Sequence, residues 1–221
     1  MDINASFLLS LSILIPLVLA IIRFKRLGKT YLPFFIILVI GFLAEVASII
    51  FTDVFKNNAP VIKVYSLLEC CLVLYQLQLW RNLKTDRQLF IFLYSICITF
   101  WIVENIAFSN INTFSPYFRV FYAFILVLLS INQINSMMFN HDGALLKNPR
   151  FILCLSFTII FLYQIILEAS YFIGSDKSVV ANKIIIGFDY INFMINLLFA
   201  VAIYFINRTN EEDYNKYFTE G

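Results

Sequence analysis

The stretch LPFFIILVIGFLAEVASIIF, Leu32 to Phe51, runs for twenty residues with a single charge, Glu45. At ~1.5 Å per residue a helix of that length covers ~30 Å, the thickness of a bilayer's hydrocarbon core. Pro33 opens it at a position where a missing N–H leaves no bond unmade. Six more runs follow the same pattern: Ala5 to Ile22, Val61 to Trp80, Leu89 to Phe108, Tyr117 to Phe139, Phe151 to Ile173 and Ile184 to Ile206. Composition agrees, since 61% of the 221 residues are hydrophobic and 14% charged, against ~45–50% and ~25% in soluble domains. The expected fold is therefore all-α, a polytopic membrane protein built as a bundle of seven transmembrane helices.

Pro60, Pro116 and Pro149 mark the starts of three further spans, and Gly41 and Gly187 are the only glycines within spans. Loops this short leave no room for a soluble domain. Residues 1–206 form one predicted transmembrane domain, and Asn207 to Gly221 a short polar tail. Basic residues set the orientation. With the N-terminus outside, Arg23, Lys25, Arg26, Lys29, Arg81, Lys84, Arg87, Lys147, Arg150, Arg208 and Lys216 are cytoplasmic, against Lys56, Lys63, Arg119, Lys177 and Lys183 outside. The C-terminus is then cytoplasmic. Asp2 before the first run and Arg23 after it reverse the charge order of a signal peptide, so the first helix is expected to be retained. The net charge of +2 follows from this bias. It directs the basic loops toward the headgroups of the lipid bilayer rather than nucleic acid.

Five acids fall inside the spans: Glu45, Glu69, Glu104, Glu168 and Asp189. A carboxylate in hydrocarbon costs at least ~2.5 kcal/mol, so such residues face a bundle interior or a wet cavity and mark candidate functional sites. All five lie toward the outer side, roughly 6 to 13 Å below its boundary at 1.5 Å per residue. That one-sidedness predicts an outward-facing, carboxylate-lined cavity. Glu69 and Asp189 are expected at its floor, Glu45, Glu104 and Glu168 on its wall, and Tyr65 and Asn192 as hydrogen-bond partners. Helical spacing puts Gln76 on the face of Glu69, Gln164 on that of Glu168 and Asn196 on that of Asp189. Gly187 stands ready to loosen the last span. The competing reading is structural: Glu45 with Lys63, Glu104 with Arg119 and Glu168 with Lys183 are acid–base pairs across consecutive spans. Pro60-Val-Ile-Lys63-Val-Tyr65 also echoes Pro116-Tyr-Phe-Arg119-Val-Phe121, as three repeated hairpins would. The 25 Phe and 12 Tyr read mainly as lipid-facing filler and interfacial belt.

Several chemistries are excluded. His141 is the only histidine and falls in a loop on the cytoplasmic side, so neither a histidine-ligated zinc site nor a Ser–His dyad can form in the outer cavity. Cys70, Cys71, Cys97 and Cys154 lie in spans without a C-x-x-C pair and read as packing residues. No Gly-rich phosphate loop occurs, and no lysine at mid-depth in the last span could carry retinal. No metal and no cofactor are expected.

Asn57-Asn58-Ala59-Pro60 leading into Tyr65-Ser66-Leu67-Leu68-Glu69 is similar to a segment of small, uncharacterised seven-span bacterial membrane proteins. The resemblance implies a bacterial cytoplasmic (inner) membrane and brings no activity with it. The residues themselves lead to an expected function: binding or transporting a small cationic or polar solute, with coupling to protons through crowded acids. Two alternatives stand beside it. One is an intramembrane enzyme using paired carboxylates on a lipid or cell-wall precursor. The other is a membrane sensor or assembly subunit whose carboxylates are structural, with a protein partner the residues do not name. A polar route to the inner side through Gln76 and Asn196 would favour transport.

Overall fold

The computed structural model describes residue 9 and residues 11–80, 83–140, 145–172 and 179–206. The expectations for the start of the first run, for His141 and for the polar tail lie outside the described residues.

The described chain is all-α. Its helices are α1 (Leu14–Ile22), α2 (Leu32–Phe55), α3 (Ala59–Trp80), α4 (Leu83–Ile102), α5 (Tyr117–Asn140), α6 (Pro149–Phe172) and α7 (Val179–Phe205). Six are long and apolar enough to cross a membrane, and α1 with its 3-10 start, Leu11–Ile22, is a shorter apolar helix. Large side chains such as Phe92, Phe124, Leu128 and Met194 point outward, the surface that a lipid-embedded protein presents. The chain is a membrane protein.

Local chemistry sets the helix ends. α2 stops at Lys56, whose φ of 55° is left-handed and whose N–H donates to the Thr52 carbonyl at 3.1 Å. The next helix starts almost at once because Asn57 Oδ1 accepts from the Ala59 N–H at 3.0 Å and Asn58 Nδ2 donates to Ser48 Oγ at 2.9 Å. These bonds satisfy groups that a helix terminus leaves open. At its far end α4 widens into a π-helix, Val103–Phe108, closed by Ser109 N–H to the Glu104 carbonyl at 2.8 Å.

Helix order around the bundle follows from contacts. α1 packs on α2, α2 on α3, α3 on α5, α5 on α6, α6 on α7, and α7 returns to α1. Six helices close a ring, while α4 lies outside it against α3 and α5. With the Arg23–Lys29 turn drawn at the bottom, the lower half of the ring is filled by aromatic side chains. Phe34 of α2 and Phe199 of α7 are 5.1 Å apart, and Phe157 of α6 stands 5.8 Å from Phe199. Phe161 lies above them, 6.3 Å from Phe157 and 6.0 Å from Tyr122 of α5. These rings, read from the sequence as filler and belt, form a buried central stack.

Both internal glycines serve close approach. A Cβ at Gly41 would sit 2.8 Å from Ile13 Cδ1, which fixes α1 against α2. A Cβ at Gly187 would fall 2.3 Å from the Tyr163 hydroxyl, which itself donates to the Ile184 carbonyl at 3.0 Å. α7 runs unbroken through Gly187, so this glycine admits a phenol instead of unwinding a helix.

Candidate functional site

Above the aromatic stack lies a polar layer. Glu69, half-buried on α3, accepts from Tyr65 Oη at 2.8 Å through Oε1 and from Tyr122 Oη at 2.7 Å through Oε2. Tyr65 is one turn before Glu69 on the same face; Tyr122 reaches in from α5. Gln164 of α6 then donates from Nε2 to Tyr122 Oη at 2.8 Å. One carboxylate thus ties three helices through two phenols and an amide.

Next to this chain, Arg119 Nη1 of α5 approaches Glu168 Oε1 of α6 to 2.7 Å. Glu168 is completely buried, while the Arg119 side chain is 18% exposed. The contact is an ion pair without hydrogen-bond alignment, and among the described residues Glu168 Oε2 and Arg119 Nε have no hydrogen-bond partner. Arg119 also acts electrostatically on Glu69 and Tyr122, so one guanidinium serves two carboxylates. A buried pair of this kind is retained when broken geometry would leave a bare charge in a dry interior.

Glu45 of α2 and Asp189 of α7 complete the acids of the ring. Each, like Glu69, stands ten residues from the upper end of its helix, at Phe55, Val179 and Ala59 respectively. All three therefore occupy one depth, roughly 15 Å along the helix axis. Glu45 lies in the field of Asp189. Both are half-buried, as is Asn192, one turn below Asp189. Among the described residues no hydrogen bond or ion pair engages Glu45, Asp189 or Asn192.

Glu104 stands apart. Its helix is outside the ring, and the π turn swings its carboxylate onto the start of α5. There Oε2 accepts from the Phe118 N–H at 2.6 Å and Oε1 from the Ser115 hydroxyl. Both oxygens cap a helix N-terminus, where negative charge is favourable. Lys63 lies in the field of Glu104, but its ammonium donates to Ser109 Oγ at 3.0 Å and the Asn110 carbonyl at 2.9 Å. The acid–base pairs read from consecutive spans are redistributed: Arg119 takes Glu168 in place of Glu104, Lys63 holds the α4–α5 loop, and Lys183 is exposed.

The polar residues lower down also have structural partners. Gln76 Oε1 accepts from the Phe34 N–H at 2.8 Å and its Nε2 donates to the Thr30 carbonyl at 2.6 Å, capping α2. Asn196 donates to Ser12 Oγ at 2.8 Å, binding α7 to the start of the first helix. Both groups that would line a route downward, Gln76 and Asn196, are engaged in these bonds.

Among the described residues no three His, Cys, Asp or Glu side chains gather closely enough to hold a metal ion. The site is a polar layer of four acids and one arginine. Tyr122 was not singled out in the sequence, although it stands one turn beyond Arg119 on the same face. No protein-family model, no curated protein and no solved structure matches the chain, so the likeness around Asn57 to Glu69 carries no family with it.

Proposed function

We propose that the chain is a seven-span protein of a bacterial inner membrane, N-terminus outside, with residues 1–206 as one domain, that binds a small cationic or polar solute from the outer side. The observation that carries this reading is the Glu45–Asp189 pair: two half-buried carboxylates at one depth of the ring, Glu45 in the field of Asp189, neither engaged by a hydrogen bond or ion pair among the described residues. A cation, or a solute bearing N–H or O–H donors, offsets that field and supplies the missing bonds. Glu69 and Tyr65 form the adjoining wall, Asn192 the floor beside Asp189, and the Arg119–Glu168 pair braces the far side. Glu104 serves as scaffold.

Binding is better supported than an open path. Gln76 and Asn196 are engaged in helix-tying bonds, and the Phe34–Phe157–Phe199 stack fills the ring beneath the polar layer. Transport then requires that stack to part, with proton uptake by Glu45 or Asp189 as one way to drive it. The same two acids, beside the Tyr65 hydroxyl, are also what an acid–base enzyme acting on a lipid-linked precursor would use.

The test is thermal unfolding of the detergent-purified protein against a panel of alkali cations, ammonium, small amines and zwitterions. A bound solute at 100 times its Kd stabilises by ~2.7 kcal/mol. Stabilisation present in wild type and lost in both Glu45→Gln and Asp189→Asn supports binding at the pair. A ligand response that survives in both variants moves the site elsewhere. Turnover of a lipid-linked precursor, abolished by either substitution, replaces binding with catalysis.

A further inference from the structure

We infer that the pocket at the lower end of the bundle, where α1, α7 and the α5–α6 connection meet, is a docking site for the headgroup of an anionic phospholipid. The pocket encloses about 730 Å³ and is lined by Arg23, Arg26 and Lys147 together with Leu19, Ile22 and Phe205. Among the described residues no acidic side chain lines it.

Basic residues at one end of a membrane protein follow from topology alone, so charge is not the argument by itself. Arg23 is held in place. Its Nη1 donates to the Tyr204 carbonyl near the end of α7, and its guanidinium lies over the Tyr204 ring, 5.1 Å from the centroid. A guanidinium has five N–H donors in a rigid fork, so fixing one nitrogen aims the others. Arg26 and Lys147 are exposed, and among the described residues neither has a carboxylate partner. Three cations therefore converge on a concavity with one of them already oriented.

The remaining wall is apolar and opens toward lipid. Ile22 is 74% exposed and Tyr204 64% exposed on the flank of the pocket. A free phosphate would leave these surfaces wet and most of the volume empty. A phospholipid places its phosphodiester among the cations and its glycerol and upper acyl carbons along Leu19, Ile22 and Phe205. Basic pockets between transmembrane helices bind anionic headgroups in this way. The site lies at the opposite end of the bundle from the carboxylate layer and does not depend on the function proposed for it.

Native mass spectrometry of the full chain in mixed micelles tests the inference, using phosphatidylglycerol, phosphatidylcholine and inorganic phosphate as probes. Wild type is expected to retain phosphatidylglycerol at least tenfold over phosphatidylcholine, with millimolar phosphate failing to displace it. R26Q/K147Q should lower phosphatidylglycerol affinity roughly thirtyfold, and K147Q alone about fivefold if the double variant does not fold. K56Q, exposed at the opposite end, should change nothing. Equal retention of the two lipids overturns the proposal, as does an equal loss in K56Q. Displacement by inorganic phosphate would make the pocket a site for a soluble anion and also refute the lipid.

Discussion

Neutralising Glu104 should separate scaffold acids from solute-binding acids by the sign of one stability change. In Glu104→Gln the shape is kept, Oε1 still accepts from the Phe118 N–H, and the amide NH2 faces Ser115 Oγ, which must turn from donor to acceptor. Two charge-assisted bonds of ~1.5–3 kcal/mol each become neutral ones of ~0.5–1.5, a loss of ~2–3 kcal/mol in all. Removing the charge from the α5 N-terminus adds ~0.3–1 kcal/mol. The sum is ~3 kcal/mol. At ~2–4 °C per kcal/mol for a chain of this size, the apparent Tm should fall by ~6–12 °C. Thermal unfolding followed by tryptophan emission at a fixed scan rate reads this directly. Ser115→Ala removes a single donor and should fall by less than Glu104→Gln. Glu45→Gln and Asp189→Asn remove a repulsion and no hydrogen bond, so their Tm in the absence of solute should equal or exceed that of wild type. A Glu104→Gln protein melting within about 2 °C of wild type would refute the capping assignment, and an Asp189→Asn protein as unstable as Glu104→Gln would refute the division.

Three further substitutions probe the ring. Tyr122→Phe strips a donor from Glu69 Oε2 and an acceptor from Gln164, and should cost ~2–3 kcal/mol; a double-mutant cycle with Gln164→Leu should show strong coupling in thermal melts. Gly187→Ala sets a methyl 2.3 Å from the Tyr163 hydroxyl and should destabilise by ~1–3 kcal/mol, with Tyr163→Phe in the same chain recovering part of the loss. Gln76→Leu leaves the buried Phe34 N–H without its acceptor and should lower stability by ~1–3 kcal/mol, while solute response at the distant Glu45–Asp189 pair stays intact.

The six long helices were legible because span length and apolarity are properties of contiguous sequence. α2 and α3 begin within two residues of the expected Leu32 and Val61, and α5 begins at the expected Tyr117. Depth was less accurate, since α2 continues to Phe55 and α7 begins at Val179, beyond the apolar limits, which sets Glu45 and Asp189 farther from their helix ends. Neighbourhood was not legible at all. Nothing in one dimension shows that α4 leaves the ring, and with it goes the expectation that Glu104 lines the same wall as Glu45. Nor could the π turn be foreseen at Val103–Phe108, where ordinary helix formers change register only because Glu104 finds donors on the next helix. Arg119 was matched to the acid preceding it in the chain, whereas the close contact of α5 with α6 gives it Glu168.

The contact between α1 and α7 makes the ring a structure that closes only when α7 is in place. Asn196 to Ser12 and Arg23 to Tyr204 join residues 184 and 181 positions apart. Until α7 has entered the bilayer, Glu45 has no facing helix and the interior is open along one side. A chain without α7 therefore keeps the Glu45 flank of the ring uncovered.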